Sequence, residues 1–178
     1  MPKILRSPEI EGVVIVEPDV HADPRGTFVE PWRKEWFPGA PEMVQANRSD
    51  KLAGSLVGLH YHLHQADYWF ALSGRARMVM HDLRASSPTG GTTLTVELSG
   101  DAHRGVYVPP GVGHGFAALT DFMLWYMVDA YYNPADELGV AWDDPELGLD
   151  WGILDPVLSD RDRQNPRLIE IAGALRPA

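Results

Sequence analysis

Two stretches decide the fold of this chain: residues 54–74, which read GSLVGLHYHLHQADYWFALSG, and residues 109–116, which read PPGVGHGF. In the first, histidines recur at every second residue from His60 to His64, so on a β-strand their side chains share one face. In the second, a Pro-x-Gly-x-x-His motif ends at His114 and predicts a tight turn that leads into another strand. Together the two stretches predict a group of histidines carried on strands.

The rest of the sequence is also patterned as short strands. Its 17 glycines and 15 prolines are scattered between runs rich in Val, Tyr, Trp, Phe and Thr, which is typical of an all-β sandwich or barrel. We expect strands over residues 12–17, 27–32, 43–48, 56–64, 68–72, 75–82, 92–98, 105–109, 115–118 and 122–128. Helix is expected only as one turn at 33–37 and at 160–164, where Ser159 can cap the first turn.

Composition bounds the classes of function. The chain has 178 residues and a formal net charge of −10, which disfavours nucleic-acid partners because phosphate backbones are anionic. With no cysteine, disulfides and thiolate sites are excluded, so a metal would need histidine and carboxylate ligands. No apolar run is long enough for a membrane span or a secretory signal. We expect a cytoplasmic protein with no membrane partner and one domain over 1–178, with core strands at 10–130 and a loop and helix extension at 134–178.

The two histidine stretches resemble the paired motifs of the cupin superfamily. The first cupin motif combines Gly, His-x-His, an acid and Gly, which fall here at Gly54, His60, His62, Asp67 and Gly74, with Asp in place of the usual Glu. The second cupin motif is the Pro-x-Gly-x-x-His pattern described above. The resemblance implies an all-β, double-sheet jelly roll with short peripheral helices and a site in the mouth of the barrel.

A closer resemblance covers nearly the whole chain. Its blocks are DPRGTFVE at 23–30, QANRS at 45–49, GLHY at 58–61, DLRASSPT at 82–89, PGVGHGF at 110–116, YYNP at 131–134, WDDP at 142–145 and LSDRD at 158–162. On these blocks the chain resembles the dTDP-4-dehydrorhamnose 3,5-epimerase family, a branch of the cupins. The resemblance implies an isomerase that epimerises a nucleotide-activated 4-keto-6-deoxy sugar at C3, C5 or both. It also implies a homodimer that exchanges N-terminal strands, with no cofactor.

The same resemblance assigns roles to individual residues. The base that removes a proton next to the ketone falls on His60, the carboxylate that orients this base on Asp162, and the acid that returns a proton on Tyr126. Substrate contacts fall on Arg25, Phe28, Glu30, Gln45, Asn47, His114 and Tyr132, with Phe28 placed to stack on the nucleobase. Without the resemblance, Asp162 could simply stabilise the local turn that begins at Ser159, and Tyr126 could be an ordinary core residue.

Two positions depart from the family pattern. Val57 stands where the family has an arginine, and Asp67 stands where it has a lysine. Relative to the family, the site loses two positive charges and gains one negative charge, and a carboxylate opposes both an enolate and a diphosphate. These departures predict weaker binding of a dTDP-sugar and slower proton abstraction. They also keep open a non-catalytic protein that binds a sugar nucleotide.

Two substitutions, His62 where the family usually has a glutamine and Asp67 in place of the lysine, complete a set of metal ligands. His60, His62, Asp67 and His114 would suit one divalent transition metal, as in a metal-dependent cupin that acts on another small molecule. A histidine bound to a metal cannot also accept a proton, so this alternative competes with His60 as the base. The family resemblance and Asp162 favour the metal-free site. The other histidines are assigned to the surface or to structure, and the six tryptophans to the core and the dimer surface.

Overall fold

The computed structural model describes all 178 residues. Its strands are β1 (Lys3–Arg6), β2 (Val14–Glu17), β3 (Val20–Asp23), β4 (Gly26–Val29), β5 (Gln45–Lys51), β6 (Leu56–Tyr61), β7 (Asp67–Ser73), β8 (Arg75–Asp82), β9 (Thr93–Ser99), β10 (Gly105–Val108), β11 (Val112–Ala118), β12 (Phe122–Val128) and β13 (Leu138–Gly139). The α-helix is α1 (Asp160–Gln164), and 3-10 turns cover Lys34–Trp36, Leu168–Glu170 and Gly173–Leu175. No helix is long and apolar enough to cross a membrane. The cytoplasmic location stays a prediction.

Two antiparallel sheets face each other. One has the strand order β1-β2-β10-β7-β12-β5 and the other β13-β6-β11-β8-β9, while β3 and β4 form a separate hairpin. A cluster of 16 buried residues, most of them from these two sheets, fills the space between, among them Val106, Phe116 and Leu124. The expectation of an all-β double-sheet jelly roll with short peripheral helices is therefore confirmed.

The outer face of each sheet is covered as well. Trp151 and Ile171 of the C-terminal segment share a buried cluster with Leu59 of the five-stranded sheet. On the six-stranded sheet, Phe37 from the segment between β4 and β5 packs edge-on against Tyr68. Because its sheet is buried on both faces, β11 is buried along its whole length. This burial explains why its sequence lacks the period-two pattern of a half-exposed strand.

Most predicted elements are present with ends shifted by a few residues. The strands at 75–82 and 122–128 and the helix at 160–164 have the predicted bounds, and Ser159 Oγ accepts the N–H of Asp162 at 3.1 Å as the predicted cap. The short strands β1, β3 and β13 were not predicted. They are two to four residues long, too short for a periodic pattern to stand out.

The strand expected over 56–64 ends early, at Tyr61. The carboxylate of Asp136 accepts the N–H groups of Leu63 at 2.7 Å and of His64 at 3.2 Å, and so holds the chain in a turn. His64 is therefore exposed and does not continue the face that begins at His60. The turn also reverses the chain into β7, which begins at Asp67 in the opposite sheet.

Two glycines let β6 and β11 approach closely where their histidines lie. A Cβ on Gly58 would lie 2.8 Å from the Cα of Gly115, and Gly58 has a φ of 124°, in the region that favours glycine. A larger residue at either position would push apart the strands that carry His60 and His114.

Candidate active site

Side chains from both sheets converge on one cavity. His60 on β6 and His114 on β11 are direct cross-strand partners, so their side chains lie on the same face of their sheet. In the facing sheet, Tyr126 of β12 pairs with Trp69 of β7 and with Asn47 of β5. The side chains of His60, His114, Trp69 and Tyr126 line the cavity between the sheets.

A carboxylate from the C-terminal helix holds His60. The Nε2 atom of His60 lies 2.5 Å from Oδ1 of Asp162, and Ser159 Oγ donates to Oδ2 of Asp162 at 2.9 Å. Burial acts to raise the pKa of Asp162, but its hydrogen bonds to His60 and Ser159 outweigh burial and hold the pKa below its usual value. Because an ionised carboxylate only accepts hydrogen bonds, the ring proton lies on Nε2 and the lone pair on Nδ1. His60 is thus held in the tautomer whose Nδ1 can accept a proton.

Tyr126 lines the same cavity from the opposite sheet. Burial raises the pKa of its phenol, and the carboxylates of Asp67 and Glu137 raise it further, against a hydrogen bond with Asn47 that lowers it. The phenol therefore keeps its proton through neutral pH. A phenol that can donate a proton and an imidazole that can accept one thus line one cavity from its two walls.

A second group of side chains meets in the same cavity. His62, Asp67 and His114 are each buried, and their ligand atoms all lie within 4.8 Å of one another. The Nε2 atom of His62 is 3.8 Å from Oδ1 of Asp67, and Nε2 of His114 is 3.7 Å from Oδ2 of Asp67. The structure thus gathers three of the four metal candidates identified in the sequence. The fourth, His60, has its Nε2 engaged by Asp162.

Only neutral donors hydrogen-bond to the carboxylate of Asp67. The Gln65 amide donates to Oδ1 at 2.9 Å and the Trp69 indole donates to Oδ2 at 3.0 Å. Burial lowers the pKa of His114 to about 4, although Asp67 acts in the opposite direction, so this ring is neutral at pH 7. No lysine or arginine lines the cavity. The site therefore presents a buried carboxylate without a lysine or arginine beside it.

Sequence reasoning missed several residues of this site. Trp69 belongs to the core, as expected, but its indole also faces the cavity, and its position two residues after Asp67 on one strand is the signal that could have shown this. Glu137 lines the cavity and accepts a hydrogen bond from Arg161 at 2.9 Å. Its neighbour Asp136 accepts from His62 Nδ1 through its carbonyl. No local pattern marks these two acids, because a distant loop brings them to the site.

Within one chain, the predicted substrate contacts are separated. His114 lines the cavity, and Gln45 and Asn47 lie beside it on β5, where the Gln45 amide donates to Asn47 Oδ1 at 2.8 Å. The remaining contacts lie outside the cavity, in the β3–β4 hairpin, just after it or in a later loop: Arg25, Phe28, Glu30 and Tyr132. The hairpin is exposed on both faces. Their predicted roles cannot be exercised on the cavity of the same chain in this arrangement.

Comparison with known proteins identifies the family. The family model described as dTDP-4-dehydrorhamnose 3,5-epimerase matches residues 7–170. The chain belongs to this epimerase family. It is 35% identical over 170 residues to the dTDP-4-dehydrorhamnose 3,5-epimerase of Shigella flexneri, covering 91% of this chain and 94% of that protein. It is 38% identical over 178 residues to the dTDP-4-dehydrorhamnose 3-epimerase of Streptomyces niveus, covering 96% and 86% respectively.

A solved structure of an epimerase agrees over nearly the full length. The dTDP-6-deoxy-D-glucose-3,5-epimerase of Legionella pneumophila Philadelphia 1, in complex with dTDP-4-keto-L-rhamnose, matches with a TM-score of 0.93 at 32% identity. The match covers 99% of this chain and 98% of that chain. Membership of this isomerase family, predicted from the sequence blocks, is therefore confirmed. Both departures from the family pattern, Val57 and Asp67, line the cavity of this epimerase family member.

Proposed function

We propose that the protein epimerises a dTDP-type, nucleotide-activated 4-keto-6-deoxy sugar at C3, C5 or both. The observation that carries this proposal is the His60–Asp162 pair and the Tyr126 phenol on one cavity, from its two opposite walls. Family membership supports the substrate class, since relatives include both 3,5- and 3-epimerases of dTDP-4-dehydrorhamnose.

The reaction begins with a proton on carbon. The ketone at C4 acidifies the hydrogens on C3 and C5, and Nδ1 of His60 takes one of them, which leaves an enolate. Asp162 stabilises the imidazolium that forms, because its low pKa keeps it ionised. Tyr126 returns a proton to the carbon from the opposite sheet, so the new C–H bond forms on the other face of the sugar ring.

The charge in the cavity sets the expected speed. Because Asp67 lines the cavity and no lysine or arginine does, the cavity is less favourable for an enolate than one with the lysine of the family pattern. The proposed epimerase is therefore slow in its proton abstraction compared with members that keep the lysine.

We also propose a homodimer in which the β3–β4 hairpin reaches the cavity of the second chain. Both hairpin strands are exposed in the single chain, and Phe28 is 64% exposed. A two-stranded hairpin is marginally stable by itself, so this one needs another surface to pack on. The arrangement would bring Arg25 and Phe28 to a nucleotide. Light scattering should give the mass of two 19.7-kDa chains, and a stable monomer at micromolar concentration would contradict the dimer.

Deuterium exchange tests the chemistry. Incubation with a dTDP-4-keto-6-deoxy sugar in D₂O should place deuterium at C3, C5 or both, even where the epimer does not accumulate. His60→Asn should reduce exchange by about 100-fold or more, since it removes the base. Tyr126→Phe should keep part of the exchange and lose inversion, because the base remains and the acid is gone.

The matched control for this experiment is His64→Gln, which changes an exposed histidine of the same stretch and should exchange at the wild-type rate. Wild-type exchange no faster than that of His60→Asn would overturn the epimerase proposal for this substrate. Binding of the same sugar nucleotide without exchange would then identify a non-catalytic member of the family.

A further inference from the structure

None of His62, Asp67 and His114 donates or accepts a proton in the reaction proposed above. Their side chains are 4–5% exposed and come from three places: the residue just after β6, the start of β7 and the middle of β11. They therefore bridge the two sheets, and each offers a ligand atom to the same small volume. We propose that these three side chains bind one divalent transition metal ion inside the barrel.

The spacing of the ligand atoms fits such an ion. A metal about 2.1 Å from each nitrogen or oxygen places those atoms about 3.0–3.5 Å apart. The distances from Asp67 are 3.8 Å from Oδ1 to His62 Nε2 and 3.7 Å from Oδ2 to His114 Nε2, and all the ligand atoms lie within 4.8 Å of one another. Both distances from Asp67 are too long for hydrogen bonds. Side-chain shifts of up to about 1 Å would bring all three ligands onto one centre.

The histidine rings are already oriented as ligands. His62 Nδ1 lies 2.8 Å from the carbonyl of Asp136, and His114 Nδ1 lies 2.9 Å from the carbonyl of Val112. A carbonyl can only accept, so each Nδ1 carries the proton and each Nε2 lone pair faces the carboxylate of Asp67. Backbone carbonyls commonly orient metal-binding histidines in this way.

Three acceptors that face one another call for a positive charge. The donors at this point are neutral: the Gln65 amide nitrogen lies 2.9 Å from Asp67 Oδ1 and 3.3 Å from His62 Nε2. It thus bridges two of the three proposed ligands. A divalent cation would satisfy the same two atoms and His114 as well, and Gln65, in the turn between β6 and β7, is only partly buried and can move aside.

The set has three members and excludes His60. Because Nε2 of His60 is engaged by Asp162, His60 can remain the base while a metal occupies the neighbouring cluster. Two histidines and one carboxylate suit Fe(II), Zn(II) and similar ions and leave coordination positions open. When bound, such an ion supplies positive charge that can polarise a ketone oxygen. This role rests on the proposed function, whereas the binding site does not.

Cobalt(II) and zinc(II) test the site without any assay of activity. Chelator-treated protein is titrated with Co(II), which is followed by its visible absorption, and with Zn(II) by calorimetry. We expect one equivalent of either ion to bind and the melting temperature to rise. Asp67→Asn, His62→Gln and His114→Gln should each weaken binding by about 100-fold or more, while circular dichroism confirms that each variant is folded.

Two matched histidine variants sharpen the assignment. His60→Asn and His64→Gln should bind Co(II) as the wild type does, because neither residue belongs to the three-ligand set. Folded wild-type protein that binds neither ion saturably would overturn the proposal, and so would binding that survives all three ligand substitutions. Loss of binding in His60→Asn would overturn the three-ligand assignment. Since binding is read separately from deuterium exchange, failure of the epimerase proposal leaves this result standing.

Discussion

Asp82 and Asp67 are both buried carboxylates, yet the protein surrounds them differently. Asp82, at the end of β8, accepts two hydrogen bonds from the Arg84 guanidinium at 2.8 and 2.9 Å and one each from the hydroxyls of Ser87 and Thr89 at 2.7 Å. Burial alone would raise the pKa of Asp82, but these partners outweigh it and lower the pKa to about 2. All these partners come from the loop that follows β8.

Asp67 has no such cation. It lies in the barrel between two histidines and receives only the Gln65 amide and the Trp69 indole. A buried charge is costly unless it is paired with a cation or coordinates a metal. Asp82 therefore has its cation within the folded chain, whereas Asp67 has only neutral hydrogen-bond donors and, in our proposal, gains its positive charge from a bound metal ion. The difference separates a carboxylate paired with a cation of its own chain from one that has no such pair and lines the cavity.

Removing the Asp82 charge should have the larger effect on stability. Asp82→Asn deprives a mostly buried guanidinium of its bidentate partner, and we expect it to lower the free energy of unfolding by about 2 kcal/mol or more at pH 7. Urea denaturation measures this change. The control is Asp150→Asn, which removes an exposed partner of Arg77 and should cost less than about 1 kcal/mol.

The pH dependence of this loss has a defined sign. The folded-state pKa of Asp82, about 2, lies below its ordinary value of 3.8, so its contribution is fully present above about pH 4 and is lost as the pH falls through 2. The difference in stability between wild type and Asp82→Asn should therefore shrink over this range. A difference that stays constant from pH 7 to pH 2 would show that the charge of Asp82 is not its source.

Removing the Asp67 charge should have the smaller effect. In chelator-treated protein, we expect Asp67→Asn to change the free energy of unfolding by less than about 1 kcal/mol, because the amide oxygen still accepts a hydrogen bond and a buried charge without a cation is gone. The same urea experiment measures it. A loss as large as that of Asp82→Asn would place Asp67 among the structural carboxylates and remove the contrast between the two.

Much of the fold followed from local pattern. Glycine and proline punctuation separated the strands, and the motif spacing identified the family and the double-sheet fold, both now confirmed by the comparisons. The sequence revealed the histidines at positions 60, 62 and 114 because the alternation of side chains along a strand and the residues of a turn motif are both local features of the sequence. Ser159 was identified as a helix cap for the same reason, since capping acts within one turn.

The sequence by itself therefore determined the all-β fold and the family, and it pointed to most of the side chains proposed to carry the chemistry. Only the tertiary structure decided which of those side chains contact one another, because contacts between residues far apart in the sequence depend on how the elements pack. The bond between His60 and Asp162 spans 102 positions and depends on where the C-terminal helix docks. That bond separates His60 from the cluster of His62, Asp67 and His114, a division that strand periodicity could not reveal.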